Sequence, residues 1–134
     1  MRHLFFTRSI YCGRVSCPVK KKIGVEGEKI AEKYLLSRGY KILKRNWFCY
    51  AGELDFVAFK NKLIFVEVKT LSRSTGDDPS AMLTRRKKLK WYHTSNYFLL
   101  RHHLLGADWR YDFVGIIKNG EKFLLRHYKN ISIP

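Results

Sequence analysis

Acidic side chains are scarce in this chain. Eleven Asp and Glu stand against 27 Lys and Arg in 134 residues, a net charge of +16. So unbalanced a chain repels itself unless a polyanion is its partner, which points to nucleic acid, DNA ahead of RNA, rather than to an anionic membrane surface. Charge alone does not establish a function. Cysteine is also sparse: Cys12, Cys17 and Cys49 are odd in number and match no zinc spacing, so reduced thiols in a cytoplasmic protein are expected. No apolar run approaches membrane-spanning length, and Arg8 and Arg14 interrupt the apolar residues near the start, so no signal-peptide core is read there. The segment Gly24-Val25-Glu26-Gly27 has too little glycine and no Lys-Ser/Thr to cradle a phosphate. His3, His93 and His127 are far apart, while His102 and His103 adjoin at a helix end; surface or helix-end roles are expected for all five rather than metal binding.

What is present suffices for one small core. The chain is 46% hydrophobic and 15% aromatic, which argues against disorder. Residues 1–22 carry no acid and read as a basic arm, leaving 23–134 as a single domain. From Gly24 the pattern is helical, with Ile30, Ala31, Tyr34 and Leu35 on one stripe and Gly39 as the stop. Glu26, Glu28 and Glu32 suit the positive end of that helix, but Glu28 also has a second reading, as a metal-site acid on the helix's inner side. Residues 40–50 read as an irregular edge strand, 53–59 and 63–69 as two further strands, and 72–80 as a mobile polar loop. Residues 83–103 read as a long helix with Leu83, Leu89, Tyr92, Asn96, Leu99 and Leu100 inward. Arg85, Arg86, Lys87, Lys88 and Lys90 on its first half are the expected nucleic-acid-binding residues. A strand at 109–117 and an edge strand at 121–127 complete an α/β order.

Glu67 and Lys69 lie two apart in the run Leu63-Ile64-Phe65-Val66-Glu67-Val68-Lys69 and therefore face the same way. If Lys60-Asn61-Lys62 is the turn, Phe59 opposes Leu63 and Asp55 opposes Glu67, with Cβ atoms roughly 4.5–5.5 Å apart. A turn one residue shorter would point Asp55 away. Carboxylates that close share a proton or hold a cation. Asp55 and Glu67 are thus candidate Mg²⁺ ligands, with Mn²⁺ as the substitute, and the Val68 carbonyl is placed to contribute. Glu28 would be a third acid, and Lys69 would orient the attacking water and neutralise charge. The plainer alternative is a solvent-facing Glu67–Lys69 pair. Against it, Leu63 and Phe65 share the acid's face and Ile64, Val66 and Val68 the other, so the charges emerge from an otherwise covered strand. Asp112 beside Arg110 reads as a structural ion pair, and Trp47, Phe48 and Tyr50 as sheet cover rather than a stacking platform for unpaired bases.

The residues Gly27-Glu28, Ala31, Leu35, Gly39-Tyr40, Asn46, Gly52-Glu53-Leu54-Asp55, Phe65-Val66-Glu67-Val68-Lys69-Thr70, Lys87 and Arg110-Tyr111-Asp112 resemble the YraN family, also called UPF0102. That family is similar to the restriction-endonuclease-like, PD-(D/E)XK superfamily, and the likeness spans about residues 23–117. It implies a restriction-endonuclease-like core, a central mixed β-sheet flanked by helices, within a nuclease-like domain. It also implies metal-site and catalytic roles for Glu28, Asp55, Glu67 and Lys69, with Glu53 and Lys87 as accessory positions. The implied activity is metal-dependent phosphodiester hydrolysis, structure-selective or nonspecific on DNA. Two alternatives stand beside it: a nucleic-acid-binding module without chemistry, and a basic subunit of a DNA-processing assembly. A monomer is expected ahead of a homodimer, since the charge opposes self-association.

Overall fold

The computed structural model describes residues 21–72 and 78–133. Most of the expected basic arm, with Cys12 and Cys17, lies outside them, as does most of the polar loop. Helix α1 spans Lys21–Ser37, three residues earlier than the pattern from Gly24 indicates. Its buried stripe is the expected one: Ala31 and Leu35 are fully covered, with Ile30 and Tyr34 packed beside them. Gly39 ends it at φ +86°, where Tyr40 N–H donates to Leu35 O (3.0 Å) and Gly39 N–H to Leu36 O (3.1 Å). This left-handed cap satisfies carbonyls the helix leaves open, and it turns Tyr40 into the core beside Leu35.

Five strands follow: β1 (Lys41–Cys49), β2 (Gly52–Lys60), β3 (Lys62–Ser72), β4 (Trp109–Asn119) and β5 (Lys122–Tyr128). They form one mixed sheet in sequential order, antiparallel except where β3 and β4 run parallel. A parallel pair needs a crossover, and the 3-10 turn Pro79–Met82 with helix α2 (Arg85–Arg101) supplies it. Edge strand β1 is irregular as expected, with a bulge between Ile42 and Lys44 and Asn46 at φ +48°. In the β2–β3 hairpin Phe59 opposes Leu63, Lys60 opposes Lys62, and Asn61 sits at the tip with φ +65°. The longer turn is therefore the one adopted.

Each sheet face carries its own core. Phe56, Ala58, Ile64, Val66, Val68, Val114 and Ile116 pack under α1. Leu54, Val57, Leu63, Phe65 and Tyr111 pack under α2 with Trp91, Phe98 and Leu99. The inward face of α2 differs from the expected one. Its buried residues are Trp91, Thr94, Ser95, Phe98 and Leu99, whereas Tyr92 and Leu100 are exposed. Seeking only apolar residues rotates the stripe, because Thr94 and Ser95 are inward with their hydroxyls satisfied by Lys90 O (2.8 Å) and Tyr92 O (2.9 Å). Ser95 Oγ also bonds Tyr111 Oη across the interface. Small hydroxyl residues let the helix lie close to the sheet.

Two further expectations need correction. His127 is not at the surface: its side chain is 4% exposed, and Nε2 lies 2.8 Å from a wholly buried Asp112 carboxylate. That carboxylate also accepts from Arg110 Nε (2.9 Å) and Asn130 N–H (3.0 Å), so Asp112 is the structural anchor expected from its pairing with Arg110. The expected mobile loop is pinned at its end, where Asp78 caps the 3-10 turn and bonds Arg126 (3.2 Å) and Tyr128 (3.0 Å) of β5.

Candidate functional site

Strand β2 brings Glu53 and Asp55, and β3 brings Glu67 and Lys69, to one cleft of about 250 Å³. Lys87, Lys90, Trp91 and Thr94 of α2 line the opposite wall, with Leu83 at the entrance to that helix. The paired register runs from Lys60–Lys62 to Phe56–Val66, one step short of Asp55 and Glu67. There a side chain continues the ladder: Asp55 Oδ2 accepts Val68 N–H at 2.8 Å. This bond fixes the carboxylate against β3. Lys69 Nζ stands 3.6 Å from Glu67 Oε2, with the two side chains 35% and 21% exposed. The charged tips do emerge from a covered strand.

Glu28 reaches the same neighbourhood from α1. Its carboxyl responds to the charges of Glu53, Glu67 and Lys69, while Glu26 pairs with Lys118 (3.2 Å) and Glu32 with Arg45 (2.7 Å). The helix-end account is corrected for all three: α1 begins at Lys21, so no acid lies in its first turn, and Glu26 and Glu32 are instead held by cations of the sheet. Gly27 makes this approach possible, since a Cβ there would overlap Thr70 Oγ1, one residue beyond Lys69.

Three acids are held away from their ordinary behaviour. Burial, and then the Glu67 charge, push Asp55 well above the usual aspartate range, against the opposing bond from Val68 N–H. Glu67 is raised by burial despite Lys69, and Glu28 by burial and then by Glu53. Like charges facing each other at a partly desolvated site disfavour the ionised forms. Carboxylates brought this close share a proton or hold a cation. Among the described residues, no three acidic, histidine or cysteine side chains are arranged to hold a metal by themselves.

Of the basic residues singled out on α2, Lys87 and Lys90 line the cleft, while Arg85, Arg86 and Lys88 lie outside its lining. Sequence reasoning missed Trp91 and Thr94. The signal was available: 87, 90, 91 and 94 follow helical spacing and mark one face. The indole N–H of Trp91 is buried without a hydrogen-bond partner among the described residues.

Comparison with known proteins gives a consistent answer. Residues 27–116 match the model of "Uncharacterised protein family UPF0102". A UPF0102 protein of Clostridium acetobutylicum is 43% identical over 103 residues, covering 75% of this chain and 84% of the relative. One from Caldanaerobacter subterraneus subsp. tengcongensis is 35% identical over 113 residues, 84% of this chain and 93% of its own length. One from Myxococcus xanthus is 33% identical over 109 residues, 81% and 86% respectively.

Proposed function

The chain belongs to the UPF0102 family, and from the acidic cleft just described we propose that it is a divalent-metal-dependent nuclease acting on DNA in the cytoplasm. The observation that carries this reading is the meeting of Asp55, Glu67 and Lys69 at the end of the β2–β3 hairpin, with two α2 lysines facing them. The helix, three strands, helix, two strands order agrees with a restriction-endonuclease-like core.

In this reading the carboxylates of Asp55 and Glu67, with the carbonyl of Val68, would hold Mg²⁺ or Mn²⁺. The bound cation would lower the pKa of a coordinated water and neutralise phosphoryl oxygens. Lys69 Nζ orients the attacking water and offsets charge as the phosphorus–oxygen bond to the leaving strand breaks. Glu28 acts through water as a third acid, and Glu53 is accessory. Lys87 and Lys90 neutralise the flanking phosphates, with Arg85, Arg86 and Lys88 extending the basic surface. The +16 charge favours a monomer over a homodimer, although β1 and β5 are sheet edges.

Incubation of the protein with single-stranded, flapped, branched and duplex DNA and matching RNAs, in Mg²⁺, Mn²⁺ or EDTA, tests this. Metal-dependent cleavage that disappears in Glu67→Ala and Lys69→Ala is the expected outcome. A second reading, a nucleic-acid-binding module without chemistry, is supported by the net charge of +16, which needs no catalytic site to bind a polyanion. Intact substrates in both metals, with salt-sensitive binding retained by both variants, would establish it instead.

A further inference from the structure

Beside the acidic cleft, a second groove of about 880 Å³ runs between the β1–β2 turn and the outer side of α2. Tyr50, Tyr97, Leu100 and Leu105 give it an apolar lining, and Lys90, His93 and Asn96 complete it. The three aromatics at 47–50 part company here. Trp47 is 7% exposed and stacks edge-on against Phe98, and Phe48 is half-buried, so both cover the sheet as expected. Tyr50 does not. It is 84% exposed, at the turn, with its ring perpendicular to that of Tyr97 at 5.1 Å. Leu100 and Leu105 are 56% and 60% exposed in the same groove. A tyrosine that exposed contributes little to folding, and a contiguous apolar lining open to water marks a binding surface.

Two features identify the occupant. Lys90 lines both the groove and the acidic cleft, so the two adjoin at that residue. The surroundings are strongly basic, with Arg85, Arg86, Lys87 and Lys88 on the preceding turn of α2. Aromatic faces beside lysines on one path match a single nucleic-acid strand, whose phosphates meet the lysines and whose bases stack on the rings. Bases within a duplex already stack on their neighbours and do not present a free face.

We propose that this groove, with Tyr50 as its platform, stacks unpaired bases of the DNA strand whose phosphate enters the acidic cleft. The inference rests on the nuclease reading for the identity of the strand, and it adds a preference for substrates with a single-stranded segment next to the reacting phosphate. Selection of structure over sequence follows, because every base has a π face.

Fluorescence polarisation in EDTA separates the stacking site from the chemistry. A duplex bearing a single-stranded DNA overhang and a blunt duplex of the same sequence are titrated with wild type, Tyr50→Ala and Tyr50→Phe. Circular dichroism melts check that all three fold alike. Tyr50→Ala should bind the overhang substrate about tenfold more weakly, leave the blunt duplex unchanged, and be rescued by Tyr50→Phe. Equal loss on both DNAs, no loss on either, or no binding to DNA at all overturns the proposal. Discrimination in EDTA without cleavage in Mg²⁺ or Mn²⁺ would uphold the stacking site and reject the nuclease reading. Cleavage without discrimination would do the reverse.

Discussion

Replacing Asp55 by Asn should make the metal-free protein more stable. Asp55 and Glu67 line one cleft just beyond the last register pair, Phe56–Val66, and side chains opposed across paired strands lie roughly 5 Å apart. Two unit charges at that separation repel by about 3 kcal/mol at an effective dielectric near 20. Lys69, 3.6 Å from Glu67, offsets part of this. The amide oxygen of Asn still accepts the Val68 N–H that Asp55 accepts now. A net gain of about 1–2 kcal/mol is left, or about 4–8 °C in Tm for a domain of this size. The pH dependence has a definite sign. A carboxyl whose pKa is raised by folding binds its proton more tightly in the folded state. Stability therefore falls as pH climbs from the ordinary 3.8 through the raised folded value, and stays lower above it. The advantage of Asp55→Asn should thus be larger at pH 8 than near pH 4. Millimolar Mg²⁺ should narrow or invert the order, since a cation at ten times its Kd stabilises wild type alone by about 1.4 kcal/mol. Differential scanning fluorimetry at the two pH values, with and without Mg²⁺, measures all of this. A lower Tm for Asp55→Asn at pH 8 without metal would refute the charge-repulsion argument.

Other perturbations have equally definite outcomes. Lys87→Ala and Lys90→Ala should each weaken DNA binding across sequences and reduce the slope of log K against log salt by about 1, read from titrations at several salt concentrations. Gly27→Ala should cost about 1–3 kcal/mol in urea unfolding through overlap with Thr70, and a Gly27→Ala, Thr70→Ala double variant should regain most of it. Asp112→Ala should cost about 3–5 kcal/mol by stranding Arg110 and His127. Burial alone would raise the Asp112 pKa, but its bonds from His127, Arg110 and Asn130 hold it below the usual range. Its contribution is therefore complete at pH 7 and is lost as pH falls through that lowered value, which an acid-unfolding comparison with Asp112→Asn would show.

Local rules account for how much of this was legible in advance. The β2–β3 hairpin was readable because a period of two ties register to turn length, and only one turn put Asp55 beside Glu67. Helix α1 was readable because its buried stripe is apolar and Gly39 punctuates it. Helix α2 was not, because Thr94 and Ser95 are buried by partners that no periodicity reveals: a carbonyl one turn back and a tyrosine on β4. The same rotation hid Trp91 from view as a cleft wall. His127 was misplaced for a related reason, since its partner Asp112 lies on a neighbouring strand. Glu28 was only half legible: its spacing allowed an inward carboxyl, but the close pass of Gly27 over Thr70 that brings it near Glu67 is a tertiary fact.

The placement of the few acids gives the strongest argument for a ligand at the cleft. Glu26, Glu32, Asp78 and Asp108 each pair with a surface cation, and Asp112 is consumed in a buried network. Of the eleven acids in the chain, Glu53, Asp55 and Glu67 line one cleft and Glu28 of α1 lies near them, with Lys69 paired to Glu67. A chain with 27 basic residues has abundant partners for these four, so their mutual proximity is not forced by any shortage of cations. Folding instead partly buries three of them, and burial first, then neighbouring carboxylates at Glu28 and Asp55, raises their pKa values. In the nuclease reading proposed above, the carboxylates would hold a divalent cation and the lysines on the facing helix a phosphate, which is the arrangement such a burial of acids would serve.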